Sequence, residues 1–230
     1  MARKFFIAIF AMLLAATSAT FAATGGDTSG FSALNAVVIP KPQEIPEATK
    51  ADAAYNIGVK YYNGGNMVWA VKWFRNAADL KSAKAQYMLG AAHEYGAGVK
   101  KDYAEALKWY NLAAQQDDKN AKCGLGGLYA NGYGVKRDKA AAAKWYRPAA
   151  ERDVIRAQYG LGLLYLAGFD GKKDYAEAYF WLALASRFID SAMEKRDEAA
   201  SQLDAGQLQA MRQRLKDWKP VADAEEAATP

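Results

Sequence analysis

Between residues 51 and 187 the apolar residues recur at intervals of three and four, the spacing of one helix face. Trp73, Trp109, Trp145 and Trp181 stand 36 residues apart. Ala70, Ala106, Ala142 and Ala178 come three residues before them. Ala77, Ala113, Ala149 and Ala185 come four residues after. A second column holds Gly58, Gly90, Gly126 and Gly162, each preceded by Ile57, Leu89, Leu125 or Leu161. Five residues before each glycine is Ala53, Ala85, Ala121 or Ala157. The region carries no strand-like alternation. The pattern predicts four repeats of two helices each, the first bearing the glycine and the second the tryptophan. Small residues recurring on one face predict close helix contact, since each glycine costs a helix about 1 kcal/mol against alanine.

The segments joining the two helices also repeat: GAGVKKD (Gly96–Asp102), GYGVKRD (Gly132–Asp138) and GFDGKKD (Gly168–Asp174). Glycines and lysines before a helix resemble a phosphate-holding loop. Here, however, Asp102, Asp138 and Asp174 fall at the N-cap, where a carboxylate satisfies the free N–H groups itself. Glu105 and Glu177, three residues on, are expected to complete capping boxes. Asn66 takes the cap position in the first repeat, whose loop is four residues shorter. Lys100-Lys101, Lys136-Arg137 and Lys172-Lys173 recur in register and are expected to align along one edge of the stack. That edge is either simply solvated or a basic ridge for an acidic partner or an anionic envelope polymer.

The strings AQYMLGAAHEYGAGVKKDYAEALKWYNLAA (85–114), AKCGLGGLYANGYGVKRDKAAAAKWYRPAA (121–150) and AQYGLGLLYLAGFDGKKDYAEAYFWLALAS (157–186) resemble the Sel1-like repeat (SLR) family, a relative of the tetratricopeptide repeats. The resemblance implies an all-α fold, a right-handed α/α solenoid of helix-turn-helix repeats with C-terminal capping helices. Repeats are expected at about 51–82, 83–118, 119–154 and 155–187, the first shortened. Residues 188–218 are expected to form the cap, with Asp204 starting a last helix whose apolar stripe is Leu208, Met211 and Leu215. Family repeats usually close the second helix with Gly, where this chain has Lys81, Asp117 and Asp153. Asp170-Gly171 replaces Gly-Val in the last loop. Pro148 lies inside a second helix and is expected to kink it.

The ends of the chain differ in kind from the repeats. Arg3 and Lys4 precede an apolar run, Phe5 to Ala16, and a small-residue site ends at Ala22. Residues 1–22 therefore read as a signal peptide, and the chain as periplasmic or secreted, with no membrane span after cleavage. Residues 23–50 read as a Pro- and Gly-containing linker, and 219–230 as a disordered tail. Without Arg3 and Lys4 the formal charge falls from +5 to +3, too mild to indicate a nucleic-acid partner. Cys123 is the only cysteine, so no internal disulfide forms.

Catalytic candidates are sparse. His93, the only histidine, shares its column with Tyr61, Tyr129 and Tyr165 and reads as an aromatic packing residue. No HExxH motif or second histidine supplies a metal site. Cys123 shares a column with Tyr55, Tyr87 and Tyr159 and reads as a shielded thiol; a reactive one would need a neighbouring base or positive charge. No SxxK pattern surrounds Ser82, Ser186 or Ser191. No cofactor or metal is expected, nor any catalytic residue. By analogy with tetratricopeptide repeats, the residues at −3, +1 and +4 from each glycine line the groove. Tyr55, Tyr62, Tyr87, Glu94 and Tyr159 are the expected partner-binding residues, with Cys123, Ala130 and Leu166 in the same stripe. The expectation is a monomeric exported adaptor or regulator that binds another protein or peptide. The alternatives are an envelope enzyme of β-lactamase or penicillin-binding type, as reported for cysteine-rich family members, or a binder of an anionic glycan along the lysine edge.

Overall fold

The structure, a computed structural model, describes residues 50–169 and 171–223. The expected signal peptide, the linker up to residue 49, Asp170 and residues 224–230 lie outside them. The described residues form ten helices and no strand. Four antiparallel pairs follow one another: α1 (Lys50–Asn63) with α2 (Met67–Asp79), α3 (Ala83–Tyr95) with α4 (Tyr103–Gln115), α5 (Lys119–Asn131) with α6 (Lys139–Glu151), and α7 (Ile155–Ala167) with α8 (Tyr175–Ala185). Each second helix also packs on the first helix of the next pair. Helices α9 (Asp190–Ala200) and α10 (Ala205–Asp217) close the stack against α8. No described helix is long and apolar enough to cross a membrane.

The helix boundaries follow from local chemistry. Asp102 accepts from the N–H groups of Ala104 and Glu105 at 2.9 and 3.1 Å, and Asp138 and Asp174 do the same for Ala141 and Glu177. The expected capping boxes at Glu105 and Glu177 do not form. The N–H groups they would receive, on Asp102 and Asp174, already donate to the carbonyls of His93 and Tyr165. The two glutamates instead accept from the indole N–H of Trp109 (3.1 Å) and Trp181 (2.9 Å). A complete box occurs at Asp204 and Gln207, opening α10. Lys81, Asp117 and Asp153 adopt positive φ (65°, 66° and 61°), the left-handed conformation that the family supplies with Gly. Helix α6 runs on through Pro148 to Glu151; there it gives up the bond to the Lys144 carbonyl that an N–H would have made.

The core is built in columns, but the tryptophan does not fill the space over the glycine. The residue after it does. A Cβ added to Gly58, Gly90 or Gly126 would fall 2.6–2.7 Å from ring carbons of Phe74, Tyr110 or Tyr146, and one on Gly162 would fall 2.7 Å from Leu182 Cγ. Tyr110 and Tyr146 are also gripped from the other side by Gly124 and Gly160 of the following repeat. Each of these rings is thus clamped between two stacked first helices. Trp73, Trp109 and Trp181 are buried, while Trp145 is only half-buried and packs at the edge of its cluster. Two buried glutamines tie consecutive repeats: Gln86 donates to the Ala78 carbonyl and Gln158 to the Ala150 carbonyl, both at 3.3 Å.

The loops also stack. A side chain on Gly98 would collide with the Met67 carbonyl, and one on Gly134 with the Tyr103 backbone, each at the start of the previous repeat's second helix. At the far end, Trp218 packs edge-on against Phe180 and Trp181, each 5.4 Å away, and Leu208, Met211 and Leu215 cover the same cluster. Residues 219–223, expected to begin a disordered tail, instead run back along the stack. Val221 N–H donates to the Glu151 carbonyl at 2.7 Å, and the Asp223 carboxylate bridges Lys119 and Arg152.

Candidate functional site: the inner face around Arg156

First helices of successive repeats approach one another, α3 to α5 and α5 to α7, more closely than second helices do. The side on which helices crowd is the inner side, so the first helices line it. The clamped tyrosines pass between these helices and bring their hydroxyls to that face. Tyr110 donates from its hydroxyl to the Glu94 carboxylate at 2.6 Å. The Tyr146 hydroxyl reaches the Gly127 position on α5.

These hydroxyls converge on Arg156, near the start of α7. Its guanidinium donates to the Tyr95 hydroxyl at 3.1 Å, lies close to the Cys123 thiol, and is near enough to Tyr87 and Tyr110 for their phenols to feel its charge. Tyr87 stacks on Tyr110, with ring centroids 5.9 Å apart. Burial raises the pKa of Tyr87, Tyr110 and Tyr146 and pushes Tyr95 up to about 12. All four phenols stay protonated at neutral pH, so they surround the guanidinium with dipoles and not with charge. Among the described residues Arg156 forms no ion pair at salt-bridge distance.

Of the expected groove residues, Tyr87 and Glu94 belong to this cluster. Tyr55 lies further along the inner face, tilted on Phe74 at 5.8 Å. Tyr62, near the end of α1, is half-buried. Tyr159 stands toward the cap, where its hydroxyl receives Ser191 Oγ at 3.3 Å. The structure brings Tyr87 and Glu94 together and spreads the other three along the stack. Sequence reasoning missed Arg156, Tyr95, Tyr110 and Tyr146. The signal for the last two was present: the extra glycines Gly124 and Gly160 appear only in the repeats that follow a Trp-Tyr pair.

Cys123 is buried, as expected, and the next repeat brings it a positive neighbour, Arg156. Burial still outweighs it and pushes the thiol up, leaving less thiolate at neutral pH. His93 is buried in the second repeat and its pKa is lowered, chiefly by that burial. The basic pairs lie elsewhere, in the loops. Lys101 sits over the Tyr103 ring, Lys173 over the Tyr175 ring, and Arg137 donates to the Ala130 carbonyl at 2.9 Å. Lys100, Lys136 and Lys172 are exposed.

The columns of this stack match a known repeat. The Sel1 repeat model fits residues 51–82, 83–118, 120–154 and 155–187. The chain belongs to the Sel1 repeat family. Among solved structures, this Sel1 repeat protein is similar to a protective antigen present in uropathogenic Escherichia coli strains displaying an SLR fold. The identity is 31% and the TM-score 0.68, over 75% of this chain and 38% of that one. It is also similar to a Sel1 repeat protein from Oxalobacter formigenes, with 27% identity and a TM-score of 0.57 over 80% of this chain and 85% of that one. The chain therefore spans little more than a third of the length of the E. coli antigen. No curated protein matches it.

Proposed function

We propose that this Sel1 repeat protein is an exported adaptor or regulator that binds a partner protein along its inner face. Sel1 repeat proteins are generally protein-interaction scaffolds. The observation that carries the reading is the inner-face cluster of Tyr87, Tyr95, Tyr110 and Tyr146 around Arg156. Tyrosine and arginine are the residues that dominate binding energy at protein interfaces, because they offer large rigid area with a polar tip. The cluster lies on the inner face, where an extended segment meets several repeats at once.

Export rests on the N-terminal pattern of Arg3-Lys4, an apolar run and small residues before Ala23. The description of the E. coli relative as a protective antigen favours the same placement. Mass spectrometry of protein from the producing cell's envelope or medium tests it. A chain beginning at Ala23 is expected, and one retained inside the cell with Met1 refutes export. The binding is tested by capture on immobilised protein. A partner held by the native chain and lost on Tyr95→Ala is expected; one held equally by both refutes the inner-face assignment.

A second reading has its own observation. The loops stack on the repeat before, Gly98 on Met67 and Gly134 on Tyr103, which favours a row of basic pairs along one edge. That row suits an anionic polymer, whose binding weakens with salt.

A further inference from the structure

We infer that the cluster around Arg156 is a receptor for a single carboxylate carried by an acidic peptide segment of the partner. This rests on the inner-face reading above and names the chemistry it selects.

A guanidinium carries five N–H donors and a charge that water normally stabilises. Here α3, α4 and α5 put phenols and a thiol around Arg156; the Tyr95 hydroxyl accepts one of its N–H groups at 3.1 Å, the Cys123 sulfur lies close, and no carboxylate of the described residues stands at ion-pair distance. Two acidic groups face the cluster, and each is already engaged. Glu94 accepts from the Tyr110 hydroxyl at 2.6 Å, and Asp118 caps α5 by accepting from Ala121 N–H at 2.7 Å. A half-buried charge with no carboxylate in direct contact is left partly uncompensated. The missing group is an anion, and a carboxylate matches the fork of the guanidinium with two parallel bonds.

The surroundings also limit which anion fits. Glu94, held one hydrogen bond away by Tyr110, adds a negative charge beside the cluster, which disfavours a doubly charged phosphate more than a single carboxylate. Tyr95, 43% exposed, stands at the rim of the cluster, so the guanidinium is approached from the inner face. Tyr55 and Tyr62 along the same face offer apolar area for the neighbouring residues of an extended peptide.

The test passes random N-acetylated octapeptides over immobilised protein, half of them with free C-termini and half amidated. Retained peptides should be enriched in Asp and Glu, in free C-termini, or in both. The two halves separate a side-chain carboxylate from a terminal one. Arg156→Gln should lower the affinity of retained peptides about tenfold or more, the size of a charged hydrogen bond, without a matching loss of melting temperature. Glu94→Gln should raise it, an effect that a purely structural role for the cluster does not produce. If Arg156→Gln does not fold, Arg156→Lys serves instead. It keeps the charge, loses the fork, and should weaken binding severalfold. Peptides retained without carboxylate preference, or equally by the variants, would overturn this inference and leave the inner-face reading standing. Retention of no peptide at all would overturn both.

Discussion

Replacing Gly90 with alanine pits two opposed effects against each other, and the structure says which wins. In an exposed helix the change is stabilising by about 1 kcal/mol, because alanine is the better helix former. Here the new Cβ would lie 2.6 Å from Tyr110 Cε1, about 1 Å inside the 3.5–4.0 Å of a good carbon contact. The ring cannot retreat. It is 0% exposed, and its far edge lies 2.7 Å from where a Cβ on Gly124 would stand. Overpacking of a rigid site costs about 1–3 kcal/mol, and a ring clamped on both sides belongs at the upper end. The net expectation for Gly90→Ala is a loss of about 2 kcal/mol, read as a lower urea midpoint with an unchanged slope. The double variant Gly90→Ala/Tyr110→Ala sharpens the test. Tyr110→Ala alone should cost about 3–5 kcal/mol, and adding Gly90→Ala to it should be neutral or stabilising, since the collision is gone. A Gly90→Ala protein more stable than the native one, or a loss that persists in the Tyr110→Ala background, would refute the clamp.

Trp181→Ala should cost about 3–5 kcal/mol, and Trp145→Ala clearly less, because Trp181 is 1% exposed and Trp145 only half-buried; equal losses by thermal melting would contradict the burial pattern. Lys81→Gly should stabilise by about 1 kcal/mol, since it removes a Cβ from a backbone at φ 65°, and a lower melting temperature would argue against that strain. Buried His93 has a folded-state pKa below its ordinary 6.5. Its contribution is therefore complete above about pH 6.5 and is lost as pH falls toward the folded value. His93→Tyr, matching Tyr61, Tyr129 and Tyr165 in the same column, should remove that part of the acid sensitivity in pH-dependent melts; an unchanged profile would contradict it. Asp223→Asn should destabilise by about 0.2–1 kcal/mol for each partly exposed pair, with the difference shrinking in high salt, because Lys119 and Arg152 lose their bridge.

The repeat, its two helices, the N-cap aspartates and the capping stripe of α10 were legible in the sequence because each is a local or periodic constraint. The partners of individual side chains were not. Glu105 sits at the right spacing for a capping box, but the N–H it would use is taken by His93, a contact set by the antiparallel pairing of α3 and α4. The tryptophans are the largest residues of the repeat, yet the glycines answer to the residue after each of them. Arg156 belongs to no column, and the residues it meets come from the second and third repeats. Only stacking brings them together. Asp223 likewise finds Lys119 and Arg152 across more than seventy residues of chain.

The central claim is that a partner protein lies against the first helices. Site-specific photo-crosslinking in cells producing the full chain tests it most directly. A benzophenone amino acid would replace Tyr55 or Tyr95 on the inner face, and Lys72 or Lys144 on the exposed sides of α2 and α6. The account predicts one discrete crosslinked species from Tyr55 and Tyr95 and none from the other two positions. Crosslinks from Lys72 and Lys144 alone, or no crosslink from either inner position, would contradict it.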